Sequence, residues 1–194
     1  MNSSIRAFFA VEIKNKKLIY AIRKLQEELT GIMDQIKLVE PENIHITIRF
    51  LGHITEPTAR KLYEFLQNDI NSHYFQNGPL EFTVRRLGDF SKRVFHLGIQ
   101  GPVSTLREIH DKIDNKLVES FGFPKDRKLK THITIARAKK SKNRQISTNL
   151  PLKEFQTLKN DYVAKELGSF QVGKIFLKKS VLTPQGPIYS NLEF

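Results

Sequence analysis

The chain has 194 residues, 39% of them hydrophobic and 27% charged, the composition of a water-soluble globular protein with apolar material for one substantial domain or two small lobes. It contains no cysteine, which excludes disulfides, thiolate metal sites and cysteine nucleophiles and makes a reducing compartment, the cytoplasm, the expected location. The formal charge of +12 favours polyanionic partners, of which nucleic acid is the commonest.

The amino terminus lacks the basic head, apolar stretch and small-residue cleavage site of a signal peptide. No apolar run approaches the roughly 20 residues needed to cross a bilayer, so no membrane association is expected. Residues 5–11 read as a buried strand. Leu18, Ile22, Leu25, Leu29 and Ile32 then recur at helical spacing. After a short apolar piece over residues 36–39 and the Glu40-Pro41-Glu42-Asn43 turn, residues 44–51 alternate as a strand that Gly52 should end.

Thr55 is a helix cap with Pro57 in the first turn, ahead of Leu62, Phe65, Leu66 and Ile70 on one face. Leu80, Phe82 and Val84 alternate as a strand, and residues 93–99 form another after a Gly88-Asp89-Phe90-Ser91 connection. Val103, Leu106, Ile109, Ile113 and Leu117 mark a third helix. A strand over residues 132–136, an exposed polar loop over 139–149 and a short helix over 150–162 follow. The chain closes with extended segments over 169–178 and from 180 onward, around Thr183-Pro184-Gln185-Gly186-Pro187. Helices interleaved with paired strands predict an α+β fold, with helices covering antiparallel sheets.

The tetrad His-Ile-Thr-Ile occurs twice, at His45 and at His132, 87 residues apart. On a strand, side chains alternate between faces, so His45, Thr47 and Arg49 share one side and Ile44, Ile46, Ile48 and Phe50 the other. The second copy pairs His132 with Thr134 in the same way. Histidine exchanges protons near neutrality, and two histidines serve as acid and base for opening a phosphodiester, with threonine hydroxyls donating to the phosphate oxygens. That scheme needs neither metal nor cofactor.

A lone His-x-Thr on a strand is more often a structural histidine, but the duplication argues against that reading. Zinc is the other rival for paired histidines, and it lacks both cysteine and an evident third ligand. A silent RNA-binding module using the same surface is a further alternative. Duplicated tetrads on predicted strands suggest two halves facing each other across a cleft, one histidine from each. Residues 125–144 hold nine lysines and arginines against one acid, Asp126, a basic cluster bracketing the second tetrad.

The same residues carry a family resemblance that runs through nearly the whole chain. It begins at Arg6-Ala7-Phe8-Phe9-Ala10 and continues through Asn43-Ile44-His45-Ile46-Thr47-Ile48-Arg49-Phe50-Leu51-Gly52 and Arg93-Val94-Phe95. It runs on through residues 131–137 to Ser180-Val181-Leu182-Thr183-Pro184-Gln185-Gly186-Pro187-Ile188-Tyr189. In these segments the chain resembles the 2H phosphoesterases, specifically the RNA 2′,3′-cyclic phosphodiesterases, also called 2′-5′ RNA ligases. The resemblance implies one bilobal, pseudo-twofold domain over residues 1–194, with antiparallel sheets lining a central cleft and helices outside.

It also implies hydrolysis of an RNA 2′,3′-cyclic phosphate to a 2′-phosphomonoester, with 2′-5′ ligation as the reverse-type reaction. His45 would be the proton donor to the leaving 3′ oxygen, His132 the base that activates water, and Thr47 and Thr134 the phosphate-binding pair. The expected partner is RNA with a cyclic phosphate end, tRNA fragments included, without an obligate protein partner. Arg49, on the His45 face, and Lys130, in the basic cluster, are RNA-contact candidates. Arg137 joins them only if its strand bulges, since strict alternation turns it away from His132. Phe90 is a base-stacking candidate against a core-packing alternative. His96 is expected to be a surface or packing residue, and His53, His73 and His110 surface residues.

Overall fold

The computed structural model describes residues 4–139, 152–184 and 186–194. The first strand, β1 (Ser4–Glu12), buries Phe9 and Ala10 completely and leads to α1 (Lys16–Ile32), whose amino end is capped by the Asn15 side chain. The stripe Leu18, Ile22, Leu25 and Leu29 is buried as its spacing requires. Next come β2 (Ile36–Leu38), a single 3₁₀ turn over Pro41–Asn43, and β3 (His45–Thr55). Thr55 caps α2 (Glu56–Phe65), which continues through a π-helical turn (Leu66–Asn71) into the short α3 (Ser72–Tyr74).

The hairpin of β4 (Leu80–Phe90) and β5 (Val94–Gln100) precedes α4 (Val103–Phe121). β6 (Ile133–Ala138), α5 (Leu152–Asp161), β7 (Glu166–Val172), β8 (Phe176–Thr183) and β9 (Gly186–Asn191) complete the order. The strands form two antiparallel sheets, β3-β1-β8-β9 and β2-β6-β5-β4-β7. α2 and α4 pack on β3, whereas α1 packs on β6 and β7 and α5 on β4. The α+β class is therefore as expected. Among the described residues, no helix is long and apolar enough to cross a membrane.

Three predicted boundaries shift. Gly52 does not end β3: its φ of +68° lets the strand run on to Thr55 past an extra residue, Leu51, opposite the β1 step from Ala7 to Phe8. The Gly88-Asp89-Phe90 segment is strand rather than connection, and the turn is confined to residues 91–93, closed by Arg93 N–H donating to the Phe90 carbonyl at 2.9 Å. The extended stretch over 169–178 is two strands, β7 and β8, in different sheets. Of the expected polar loop, residues 140–149 lie outside the described residues, as do Lys140, Lys142 and Arg144 of the basic cluster.

Candidate active site

β3 and β6 approach each other from the two sheets and bring the repeated tetrads together. His45 begins β3, and His132 stands one residue before β6. Each imidazole is held by the same device, the main-chain carbonyl two residues upstream. His45 Nδ1 lies 2.6 Å from the Asn43 carbonyl and His132 Nδ1 2.6 Å from the Lys130 carbonyl. A carbonyl only accepts, so Nδ1 carries the proton in both rings and Nε2 is the unprotonated nitrogen. Thr47 Oγ1 stands 3.0 Å from His45 Nε2.

Each ring also sits in an aromatic setting. Phe8 and Tyr189 flank His45 at centroid distances of 5.2 and 5.4 Å. Phe90 and His96 meet His132 nearly edge-on at 5.0 and 5.5 Å, and those two stack on each other at 4.1 Å. His96 is thus a packing histidine, but one packed against the second motif. Gly88 leaves it room, since a Cβ there would stand 2.9 Å from its Nε2.

Burial pushes the His45 pKa down to about 4, helped by the charges of Lys178, Arg137 and His132 and opposed by the Asn43 hydrogen bond. His132 is lowered by burial and by Arg137, against the Lys130 carbonyl. His96 is pushed to about 4, chiefly by burial. Both motif histidines are therefore neutral in the free protein at neutral pH.

The two arginines trade places relative to strict alternation. In β3 the register against β1 slips between Phe9 and Ala10, leaving Ile48 as an extra residue, and alternation inverts beyond it. Arg49 consequently leaves the His45 face and is buried, 8% exposed, against α4. There its Nε donates to Asp114 Oδ1 at 3.0 Å, its Nη1 to the Phe50 carbonyl and its Nη2 to the Pro124 carbonyl. Phe50 takes the cleft side instead, 56% exposed and 5.9 Å from Phe8. The RNA-contact expectation for Arg49 fails on this geometry.

In β6 the matching slip, between Phe95 and His96 of β5, leaves Ile135 as the extra residue. It turns Arg137 back to the Thr134 side, as its candidacy required. Arg137, Thr134 and His45 line one cavity of about 400 Å³, together with Lys37, Asn43 and Tyr189. A second cavity of about 500 Å³, walled by Lys14, Lys16, Tyr20 and Arg23, meets the first at His45 and Tyr189.

Lys130 offers its carbonyl to His132, while its ammonium stands 5.9 Å over the Phe90 ring. Phe90 is stacked on His96 rather than presented as a free platform. His53 and His73 are exposed as expected, but His110 is 2% exposed within ion-pair distance of Asp111 and Asp126. Lys178, which pairs with Glu12 beside His45, had no signal in the sequence beyond its place on a strand. Among the described residues, no group of three or more His, Asp or Glu side chains has metal-ligand spacing.

A family model described as "AKAP7 2'5' RNA ligase-like domain" matches residues 7–189, a span containing both tetrads and most of the β8–β9 hairpin. The chain belongs to the 2H phosphoesterases, in the RNA 2′,3′-cyclic phosphodiesterase (2′-5′ RNA ligase) family. A Methanothermobacter thermautotrophicus protein named RNA 2′,3′-cyclic phosphodiesterase is 32% identical, over 97% of each chain. Proteins of the same name from Aeropyrum pernix and Methanocaldococcus jannaschii are 34% and 35% identical, covering 90% and 95% of this chain and 94% and 96% of theirs. Among solved structures, Escherichia coli LigT complexed with NADP+ superposes with a TM-score of 0.69 at 18% identity, covering 98% of this chain and 96% of that one. A Thermus thermophilus structure gives 0.68 at 23%, covering 97% and 96%. These two likenesses show the fold.

Proposed function

We propose that this 2H phosphoesterase hydrolyses RNA 2′,3′-cyclic phosphodiester ends to 2′-phosphomonoesters, the two sheets acting as halves of one bilobal unit. The observation that carries the reading is the doubled device itself: two imidazoles, each with Nδ1 committed to a main-chain carbonyl, which leaves Nε2 as the nitrogen able to exchange a proton, that of His45 facing the Thr47 hydroxyl at 3.0 Å. The names of the relatives supply the substrate class.

His132, neutral in the free protein, takes a proton from water as its oxygen attacks phosphorus. The P–O3′ bond breaks, and His45 delivers a proton from Nε2 to the departing 3′ oxygen. His45 needs that proton, and the bound phosphate anion supplies the reason to hold it by offsetting Lys178 and Arg137 and raising the ring's pKa. Once His45 Nε2 carries its proton, the Thr47 hydroxyl that faced it at 3.0 Å is released to donate, with that of Thr134, to the non-bridging oxygens. Arg137, which lines the same cavity as Thr134 and His45, faces the same charge. An RNA hydroxyl in place of water gives 2′-5′ ligation by the same route. The absence of cysteine fits action in the cytoplasm.

The test is incubation of an RNA oligonucleotide bearing a 2′,3′-cyclic end with the protein in excess chelator, with the product's phosphate position read by 31P NMR. A 2′-phosphate is expected. No turnover, or a 3′-phosphate, overturns the reading.

A further inference from the structure

Between α4 and β6 the chain over residues 122–132 is neither helix nor strand, yet it must hold the Lys130 carbonyl 2.6 Å from His132 Nδ1. Phe123 and Leu129 are only partly buried against the core, so apolar contact sets the depth of the segment more than its position along the sheet. Its polar anchor lies at residues 124–126. The Pro124 carbonyl accepts from Arg49 Nη2 at 2.7 Å, and Asp126 N–H donates to both oxygens of Asp114 at 3.1 and 3.2 Å. Asp114 is 1% exposed and takes Arg49 Nε at 3.0 Å and Lys125 Nζ at 3.1 Å.

Asp114 gathers most of these contacts, and Arg49 ties them to the first motif: it meets Asp114, the Pro124 carbonyl and, through Nη1 at 3.5 Å, the Asp126 carboxylate. Arg49 belongs to the first motif's strand and, through Nη1, also holds the Phe50 carbonyl just beyond the bulge at 2.9 Å. Three acceptors in different directions, one on β3, one on α4 and one on the 122–132 segment, match the planar fork of a guanidinium; a single ammonium does not span them.

We propose that Arg49 is a positioning residue that locks the 122–132 segment to the first-motif strand and so fixes His132 at the phosphate site. It acts without touching substrate, from behind the sheet. The inference rests on the reading of His132 as a proton-transfer group, and it gives the arginine of the first motif's strand a task in the second motif's geometry.

The experiment uses the full chain with 15N-labelled histidine. Arg49→Lys keeps the charge beside Asp114 but not the reach, and Arg49→Met with Asp114→Asn removes both charges together while an amide oxygen still accepts from Asp126 N–H, so no buried carboxylate is left alone and only the guanidinium's contacts are lost. Folding is checked by circular dichroism. In the folded variants the His132 ring nitrogens are expected to move toward a mixed-tautomer signature while those of His45 stay in place. With cyclic-ended RNA, kcat is expected to fall by about 10- to 100-fold with KM changing by less than about threefold, the pattern of misplaced chemistry.

A folded Arg49→Lys protein whose His132 signals match the parent overturns the proposal, whatever its activity. If His132→Ala is itself fully active, the functional reading fails instead, and the ring signals still decide whether Arg49 positions His132.

Discussion

Each motif histidine is withdrawn from water and stands near a cation, Lys178 and Arg137 for His45 and Arg137 for His132, and both influences favour the neutral ring. The pH dependence follows from that direction. In the free protein both pKa values lie below the usual histidine value of about 6.5, so kcat/KM should be greatest on the acid side of it and fall as pH rises and the acid loses its proton. On the proposed mechanism a bound phosphate anion should raise both, so the kcat profile should sit at higher pH than that of kcat/KM. Coincident profiles would contradict this electrostatic account. His45→Ala and His132→Ala should each lower kcat by about 10²–10⁴ with the fold intact, measured on the cyclic-ended RNA.

Lys178 makes the same argument from the protein's side. It is buried beside His45 and donates to Glu12 and Asn191. In Lys178→Met the His45 pKa should rise and the descending limb of kcat/KM move to higher pH. Stability should fall by roughly 1–3 kcal/mol, less than the loss of a fully buried pair, because Lys14 stays beside Glu12. Denaturant melts and a pH series on one variant check both outcomes.

At the level of elements, the site is made by two bulges, one after each His-x-Thr, and each has its own polar fastening. At Ile48 it is Arg49. At Ile135 it is Gln26 of α1, 4% exposed, whose Nε2 donates to the Ile135 carbonyl and to the Val39 carbonyl, both at 2.8 Å. Gln26→Met should take one donor from each carbonyl, that of Ile135 keeping the Val39 N–H at 2.9 Å, cost about 1–3 kcal/mol, and loosen the turn that directs Arg137 into the cleft. The expected kinetic result is a raised KM for RNA. A melting temperature and KM equal to the parent's would show that the bulge holds itself.

These bulges also mark where the sequence stops being legible. Apolar periodicity locates α1, α2 and α4 because each stripe has one sheet to bury against. It cannot place Arg49 or Arg137, since one inserted residue reverses every side chain beyond it and its cause lies in a partner strand or in a glutamine far along the chain. The surroundings of His96 and His110 escape it for a related reason: a single histidine in a pattern gives no sign of whether a Gly88 or an Asp126 stands opposite.

For the molecule as a whole, the depressed histidines predict acid sensitivity of the fold. With values of about 6.5 unfolded and about 4 folded for His45 and His96, the unfolded chain binds more protons between those limits. Their contribution is complete above about pH 6.5 and is lost as pH falls toward 4. Thermal melts should give a lower Tm at pH 5 than at pH 7, and His96→Phe should flatten part of that slope. A Tm unchanged across this range would refute the burial of these rings as described.

The family is legible in the chain alone: paired His-x-Thr units on strands, a cysteine-free basic composition, and the run of motifs that places it among the 2H phosphoesterases. Those features are local, since a strand presents His and Thr together whatever lies around it. Which arginine lines the cavity beside His45 and Thr134, which is buried behind the strand, and how far each imidazole's proton affinity is lowered are settled by the folded arrangement. Those properties come from pairing register, burial and long-range charge, and they exist only once distant parts of the chain have met.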